Sequence, residues 1–315
     1  MNILPHEQQI YECEQTILQV KKQNRDSSIW SSEEIEKLEK KLELLKSRVY
    51  SSLKPWDRVA ISRHPKRPHT SDYIKNLCEE FEEICGDRCF GEDHAVMAGF
   101  GIIDKQKYVI IGLEKGNDTD SRIYRNFGMA HPEGYRKALR AMRLAAKFKL
   151  PVVTFLDTPG AYPGLTAEER GQGWAIAKNI FEMAMLETPI IVVLIGEGCS
   201  GGALGIGVGD VIGMLEHAYY SVISPEGCAS ILWQDPQKNS EAAIALKMQA
   251  EDLLKLGVID EIIKEPQGGA HFDPGLIYAN VAAFIKSSYS LLKPIPSEVL
   301  VEKRFLKFRK MGSGV

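Results

Sequence analysis

Apolar residues recur every three or four positions in two stretches near the start of this chain. Ile10, Cys13, Ile17 and Val20 form one stripe, and Ile35, Leu38, Leu42, Leu45 and Val49 form another. This spacing puts one apolar face on each of two otherwise charged helices. Ser31 and Glu34 fit a capping box at the start of the second helix, after a polar linker over 24–32. A two-helix hairpin has too little core to stand alone, so its stripe must pack on something. Its own subunit and a partner subunit are both open at this stage. Residues 1–55 are read as this hairpin.

A connector containing Pro and Arg follows at 55–68, and 72–85 reads as a helix. The period then changes. AVMAGFGIID from Ala95 and KYVIIGLEKG from Lys107 read as strands. The pattern predicts helices over 133–150, 168–186, 201–209 and 241–256. It predicts strands over 151–157, 189–195, 219–223 and 258–264. Strands and helices in this succession predict a mixed α/β core, placed at 56–290. Residues 291–315 are set apart as a tail, and KRFLKFRK within it reads as a frayed basic helix end.

Two apolar strands run directly into glycine-rich turns. PVVTFLD leads into TPGAYPG (158–164), and PIIVVLI leads into GEGCSGGALGIG (196–207). A helix start leaves backbone N–H groups without partners and adds partial positive charge. Glycine lets a ligand approach those amides. Together they are the parts of an oxyanion hole, in which one donor is worth about 3 kcal/mol. Gly201 and Gly202 are the candidate donors. A side chain at Gly202 is expected to block the ligand, so Gly202→Val should lower turnover and leave the melting temperature near normal. Gly160, Tyr162, Gly164 and Gly198 are candidate substrate-binding positions around the turns. Asp157 reads as a cap for the turn that follows it.

Composition narrows the class. The chain has 315 residues, 44% hydrophobic and 26% charged, with a formal net charge of -3, the profile of a globular protein with no global pull towards nucleic acid. No apolar run reaches membrane-spanning length and no leader pattern opens the chain, so a cytoplasmic location is expected. Six scattered cysteines lack paired metal-ligand spacing and read as reduced thiols. His64, His69 and His94, near Cys78, Cys85 and Cys89, leave a metal site as the lesser alternative. Arg136, Arg140, Arg143 and Lys147 share a helix face that is either solvated or attracts phosphates. Arg125 and Asn126, in the loop before it, either touch substrate or cap the loop. Residues 198–202 also fit G-x-S-x-G, the serine-hydrolase elbow, with His217, His271, Asp210 and Asp260 as possible partners.

FLDTPGAYPG, AEERGQ, IGEGCSGGALGIGVGD and SVISPEGCASILW closely resemble the alpha-subunit family of bacterial and plastid acetyl-coenzyme A carboxylase carboxyltransferases. RNFGMAHPEGYRKALR (125–140) and EPQGGAH (265–271) fit the same family, so the resemblance runs over about 62–271. It implies a crotonase-like superhelix of ββα units behind an N-terminal helical hairpin. It implies that Gly201 and Gly202 hold the ureido oxygen of carboxybiotin, and that the carboxyl group passes to acetyl-coenzyme A to give malonyl-coenzyme A. Biotin would arrive on a biotin carboxyl carrier protein, charged by biotin carboxylase. A zinc-ribbon-bearing beta subunit would complete an alpha2beta2 assembly. No ribbon cysteine pattern stands in this sequence, and no metal is expected in this chain. Rival readings are a related acyl-coenzyme A carboxyltransferase or decarboxylase, and a non-catalytic assembly subunit.

Overall fold

A computed structural model describes residues 3–27 and 30–312 of the chain. The N-terminal hairpin is α1 (Gln8–Ser27) and α2 (Ser32–Ser51), with the Ser31 and Glu34 capping box in place. Ile10, Ile17 and Val20 are buried, whereas no residue of α2 is fully buried. Lys21–Glu39 at 2.5 Å and Lys46–Glu14 at 2.9 Å link the two helices. The base of the hairpin is tied to the rest of the chain by Gln267 Nε2, which donates to Ser47 Oγ at 3.4 Å. The stripe therefore packs within this subunit, and Leu38 and Leu42 are half-buried in that seam.

Next come α3 (Pro55–Ser62) and α4 (Thr70–Leu77), then the antiparallel strands β1 (Glu80–Glu83), β2 (Val96–Ile103) and β3 (Gln106–Leu113). The helix expected over 72–85 thus stops at Leu77. The Phe81 ring lies where Gly99 lacks a Cβ, at 2.7 Å from that position, so pairing with β2 overrides the local helical pattern. After α5 (Thr119–Tyr124) and α6 (Pro132–Phe148) come β4 (Val152–Thr158), α7 (Leu165–Glu169), α8 (Gln172–Ala184) and β5 (Ile190–Cys199). The helix expected over 168–186 is broken by Gly171, whose φ is 81°.

The second half holds α9 (Ser200–Leu204), β6 (Val211–Leu215), β7 (Tyr219–Ser221), α10 (Pro225–Trp233), α11 (Asn239–Ala245), α12 (Ala250–Lys255) and β8 (Glu261–Ile263). α9 is shorter than expected, and β6 follows it where no strand was expected. The helix expected over 241–256 is two pieces, separated where Lys247 takes φ 47°. The eight strands of the described residues join one sheet, ordered β1-β2-β3-β4-β5-β6-β8, with β7 paired to the end of β5. From β3 onward the pairs are parallel. Every residue of β4 and β5 is buried, as a strand covered on both faces requires. Their carboxyl ends carry the two glycine turns.

The C-terminal helices correct the frayed-tail expectation. α13 (Pro274–Leu292) crosses the boundary drawn at residue 290, and α14 (Ser297–Lys310) buries Leu300 and Arg304. Arg304 donates Nε and Nη2 to Asp210 at 2.8 Å each. It also donates to the carbonyls of Met183, Leu186 and Thr188 at 2.6–2.9 Å. Asp210 in turn accepts from Ile190 N at 2.7 Å. One guanidinium thus satisfies carbonyls at the end of α8 and fastens them to the start of β5. Arg304→Met should lower stability by about 3–5 kcal/mol, because it strands a buried carboxylate. Urea denaturation measures it, and a loss below about 1 kcal/mol, the worth of an exposed pair, would show that the clamp is dispensable.

Candidate active site at two glycine turns

The two turns are in contact. Gly202, in the first turn of α9, packs directly on the Gly160–Ala161 peptide, and a Cβ there would stand 2.5 Å from Ala161 N and 2.8 Å from Gly160 Cα. Ser200 takes φ 54°, so the chain turns sharply off β5 into α9. The first-turn amides of α9 have no partner within the helix, and Cys199 supplies no side-chain cap. In the other turn, Gly160 N donates to Thr158 Oγ1 at 3.1 Å and Tyr162 N donates to Ala130 O at 3.0 Å. The amide between them is that of Ala161, on which Gly202 rests. Tyr135 donates its hydroxyl to Gly202 O at 3.2 Å, and Asn179 donates to the carbonyls of Tyr135 and Gly205 at 2.9 Å. These two buried side chains fix α9 against α6 and α8. A cleft of about 430 Å³ opens at Ser200 and Gly201, with apolar walls that include Leu204, Tyr220, Val222 and Phe308.

Beneath the turns lies a buried ion network. Lys115, just after β3, bridges Asp157 at 2.7 Å and Glu197 at 2.5 Å. Asp157 accepts from Glu197 N at 2.9 Å and faces His69 Nδ1 at 2.9 Å. Glu197 also accepts from Arg63 Nε and from the Tyr219 hydroxyl, each at 2.6 Å. Burial alone raises a carboxyl pKa, but Lys115 and His69 hold Asp157 well below the usual carboxylate range. For Glu197 the same burial is outweighed by Lys115 and Arg63, and its pKa falls to about 2. Asp157 therefore ties β4 to β5, and the turn that follows it is capped by Thr158 instead.

Other sequence candidates are placed as follows. Arg125 donates to His94 O at 2.9 Å, and Asn126 contacts His131 Nδ1 at 3.0 Å. Both brace the loop in which Asn126 and Phe127 hold left-handed backbone, the structural role read for them, and neither lines the cleft at Ser200. Arg140 donates to the carbonyls of Cys85 and Gly86, at 3.1 and 2.8 Å. It lines a separate cleft with Trp174, to which neither glycine turn contributes, so it does not join the site. Gly198 is buried within β5 beneath the Tyr220 ring, 3.0 Å from its missing Cβ, and serves packing, not substrate. Tyr162 stacks on His131 at 4.1 Å, and its ring fills the space beside Gly164. The basic face is largely paired: Arg136 with Asp87 and Glu133, Arg143 with Glu182. Lys137, next to Arg136 in the chain, is buried against Glu92 and Val96 O.

The hydrolase elbow has no base. No histidine lines the cleft at Ser200 among the described residues. His217 is buried with its backbone on Glu265, and His271 stacks on His64 at 3.8 Å. Asp210 and Asp260 are engaged by Arg304 and Lys307.

Sequence reasoning passed over Lys115, Glu197 and Arg63, and gave His69 only as part of a metal alternative. Glu197 stands inside the glycine motif and Lys115 ends a strand run, which were the available signals. Their partners lie 82 and 134 residues apart in the chain, beyond any local pattern.

Two outcomes follow from this geometry. Gly202→Ala should lower the melting temperature, because its Cβ meets backbone, whereas Gly201→Ala meets only Ile176 at 3.5 Å and should fold normally. The expectation that Gly202→Val leaves the fold intact is thereby overturned. Equal melting temperatures for the two alanine variants, read by calorimetry, would contradict the packing. Glu197 is depressed from 4.5 to about 2, so its contribution is full above pH 4.5 and is lost as pH falls through about 2. Stability measured in urea should fall across that window, and Glu197→Gln should flatten the fall. An unchanged slope would remove Glu197 from the account.

Residues 3–312 match the family described as acetyl co-enzyme A carboxylase carboxyltransferase-like. The acetyl-coenzyme A carboxylase carboxyl transferase subunit alpha of Protochlamydia amoebophila is 62% identical over 312 residues, 99% of this chain and 98% of that protein. The same subunit of Chlamydia pneumoniae is also 62% identical, over 99% of this chain and 96% of that one. Transcarboxylase 12S, solved with methylmalonyl-coenzyme A, superposes with a TM-score of 0.59 at 17% identity, covering 73% of this chain and 42% of its own. The beta subunit of Pseudomonas aeruginosa geranyl-CoA carboxylase gives 0.57 at 14%, covering 78% and 45%. These structures establish the fold, which is crotonase-like. With its whole described length matched, the chain belongs to the family of acetyl-coenzyme A carboxylase carboxyl transferase alpha subunits.

Proposed function

We propose that this chain supplies the carboxybiotin-binding half of an acetyl-coenzyme A carboxylase carboxyltransferase, acting in the cytoplasm to form malonyl-coenzyme A. The observation that carries the reading is the contact of Gly202 with the Gly160–Ala161 peptide. It brings the open amides of α9 and the Ala161 amide to one place, beside an apolar cleft. Carboxybiotin, brought by a biotin carboxyl carrier protein and charged by biotin carboxylase, would supply the carboxyl group and then a ureido nitrogen able to accept a proton. The donor set fits that group: backbone amides for a carbonyl oxygen, and apolar walls for a ring and its aliphatic arm. Gly201 and Gly202 hold the oxygen on which charge builds, with dipoles already fixed in place. Leu204, Val222 and Phe308 offer the ring an apolar wall. Tyr135 and Asn179 keep α9 from moving as the charge develops.

A partner subunit is supported by the surface. Leu165 of α7, Trp174 and Phe181 of α8, and Met185 just after it are all more than half exposed. An apolar patch of this kind marks an interaction face. The zinc-ribbon-bearing beta subunit is the occupant we assign to it, in an alpha2beta2 assembly that brings the acetyl-coenzyme A site. The chain alone should form no malonyl-coenzyme A, and adding the beta subunit should restore the reaction. Phe181→Asp should reduce the assembled fraction in size-exclusion chromatography without lowering the melting temperature of the isolated chain. Full activity of the chain by itself would overturn the division of labour. Gly201→Ala tests the site: it keeps the backbone amide but sets a methyl at the mouth of the cleft, so it should lower kcat/KM in the assembled enzyme by about a hundredfold, the cost of displacing a reacting group by about 1 Å.

A further inference from the structure

We propose that the biotin-bearing carrier protein docks, through an acidic surface of its own, on a basic surface at the end of α14 beside the cleft at Ser200. The inference rests on the carboxybiotin reading of that cleft and assigns the place where the carrier sits. A second cleft of about 430 Å³ adjoins the first. Lys303, Lys307 and Lys310 line it with Leu256, Leu306 and Met311. Met311 lines both clefts, and Phe308 of α14 lines the first. The turn after α12 joins them too, with Val258 on the first cleft and Leu256 on the second. Among the described residues, no acidic side chain lines either one.

Part of this charge has an internal explanation. A basic last turn suits the helix dipole, and Lys307 pairs with Asp260 and donates to Asp210 O at 3.1 Å. Lys303 has neither explanation. It stands a full turn before Lys307, is exposed, and forms no ion pair among the described residues. Two helical turns separate it from Lys310, so both cations lie on one side of α14. Leu256 and Leu306, on the same cleft, are 52% and 44% exposed. Exposed apolar side chains among unpaired cations suit a protein surface of opposite charge better than a free anion.

The tether selects the partner. A biotin ring in the first cleft keeps the protein that carries it at the rim, and the end of α14 forms part of that rim. The Arg304 clamp fixes α14 to Asp210, so the surface is formed before the carrier arrives. Opposite charges at a rim steer encounter and act on association more than on chemistry.

The experiment runs the assembled alpha and beta subunits in reverse, with malonyl-coenzyme A as the carboxyl donor. The carboxyl carbon leaves the malonyl group and bonds to the ureido nitrogen of biotin. The proton displaced from that nitrogen goes to the remaining carbon, giving acetyl-coenzyme A. Two acceptors are compared, biotin attached to its carrier protein and free biotin. Lys303→Glu with Lys310→Glu, both at exposed positions, should lower kcat/KM for the carrier by roughly tenfold at low ionic strength, through KM. The deficit should shrink as salt is added. Free biotin should react as with the unaltered enzyme. Undiminished kcat/KM for the carrier, or an equal loss with free biotin, would overturn the proposal. So would a rise in KM for malonyl-coenzyme A instead, which would make coenzyme A phosphates the occupant. These outcomes leave the carboxybiotin reading standing, whereas no transfer to either acceptor by the unaltered assembly would overturn both. If the double variant does not fold, Lys303→Glu alone decides it.

Discussion

The ammonium of Lys115, held between Asp157 and Glu197, is the contact on which the site depends. It lies where β3, β4 and β5 end, and both glycine turns spring from the strands it joins. Two buried carboxylates this close repel each other unless a cation stands between them. The bridge therefore fixes the spacing of the turns as much as it neutralises charge. Buried ion pairs contribute little net stability against an apolar replacement, but removing one partner is costly. The network reaches outward to α3 through Arg63, to α4 through His69 and to β7 through Tyr219. A displacement of any of these elements is transmitted to the turns.

A second clamp shows why the connector at 55–68 is more than a linker. Arg67 is fully buried and donates both Nη atoms to Glu265 at 2.7 Å, and its Nε to Ile195 O at 2.7 Å. Glu265 also accepts from His217 N and Ala270 N. Burial opposes its ionisation, yet Arg67 brings its pKa down to about 2. The Pro- and Arg-rich stretch and the loop at 265–271 thus grip the middle of the sheet from opposite ends of the sequence.

What could be read from the chain was what period and local chemistry encode. The buried strands β4 and β5, the capped helix α2 and the amphipathic helix α6 all follow from spacing. The glycine turns could be read because glycine's effect is local. β1 was missed because its strand state depends on Gly99 across the sheet, and α14 was read as frayed because its charge looks solvated. Arg304 is in truth a buried donor whose acceptors are 94 to 121 residues away. The same distance in sequence hid the partners of Lys115. Ionic pairing across a fold leaves no periodic trace.

The glycine motif itself separates into packing and chemistry once the neighbours of each position are known. Gly196 makes room for the Asp157 carboxylate, and Gly202 for the peptide of the other turn. At these positions a side chain would displace the scaffold before it met any ligand. Gly201 differs, because its nearest neighbours are Ile176 side-chain atoms at 3.5 and 3.6 Å, an ordinary contact. The fold does not require glycine there, and the position borders the apolar cleft. A glycine that packing leaves free, at the start of a helix with open amides, is explained by what must approach it. Gly202 holds the two turns together, and Gly201 stands clear of packing at the mouth of the cleft.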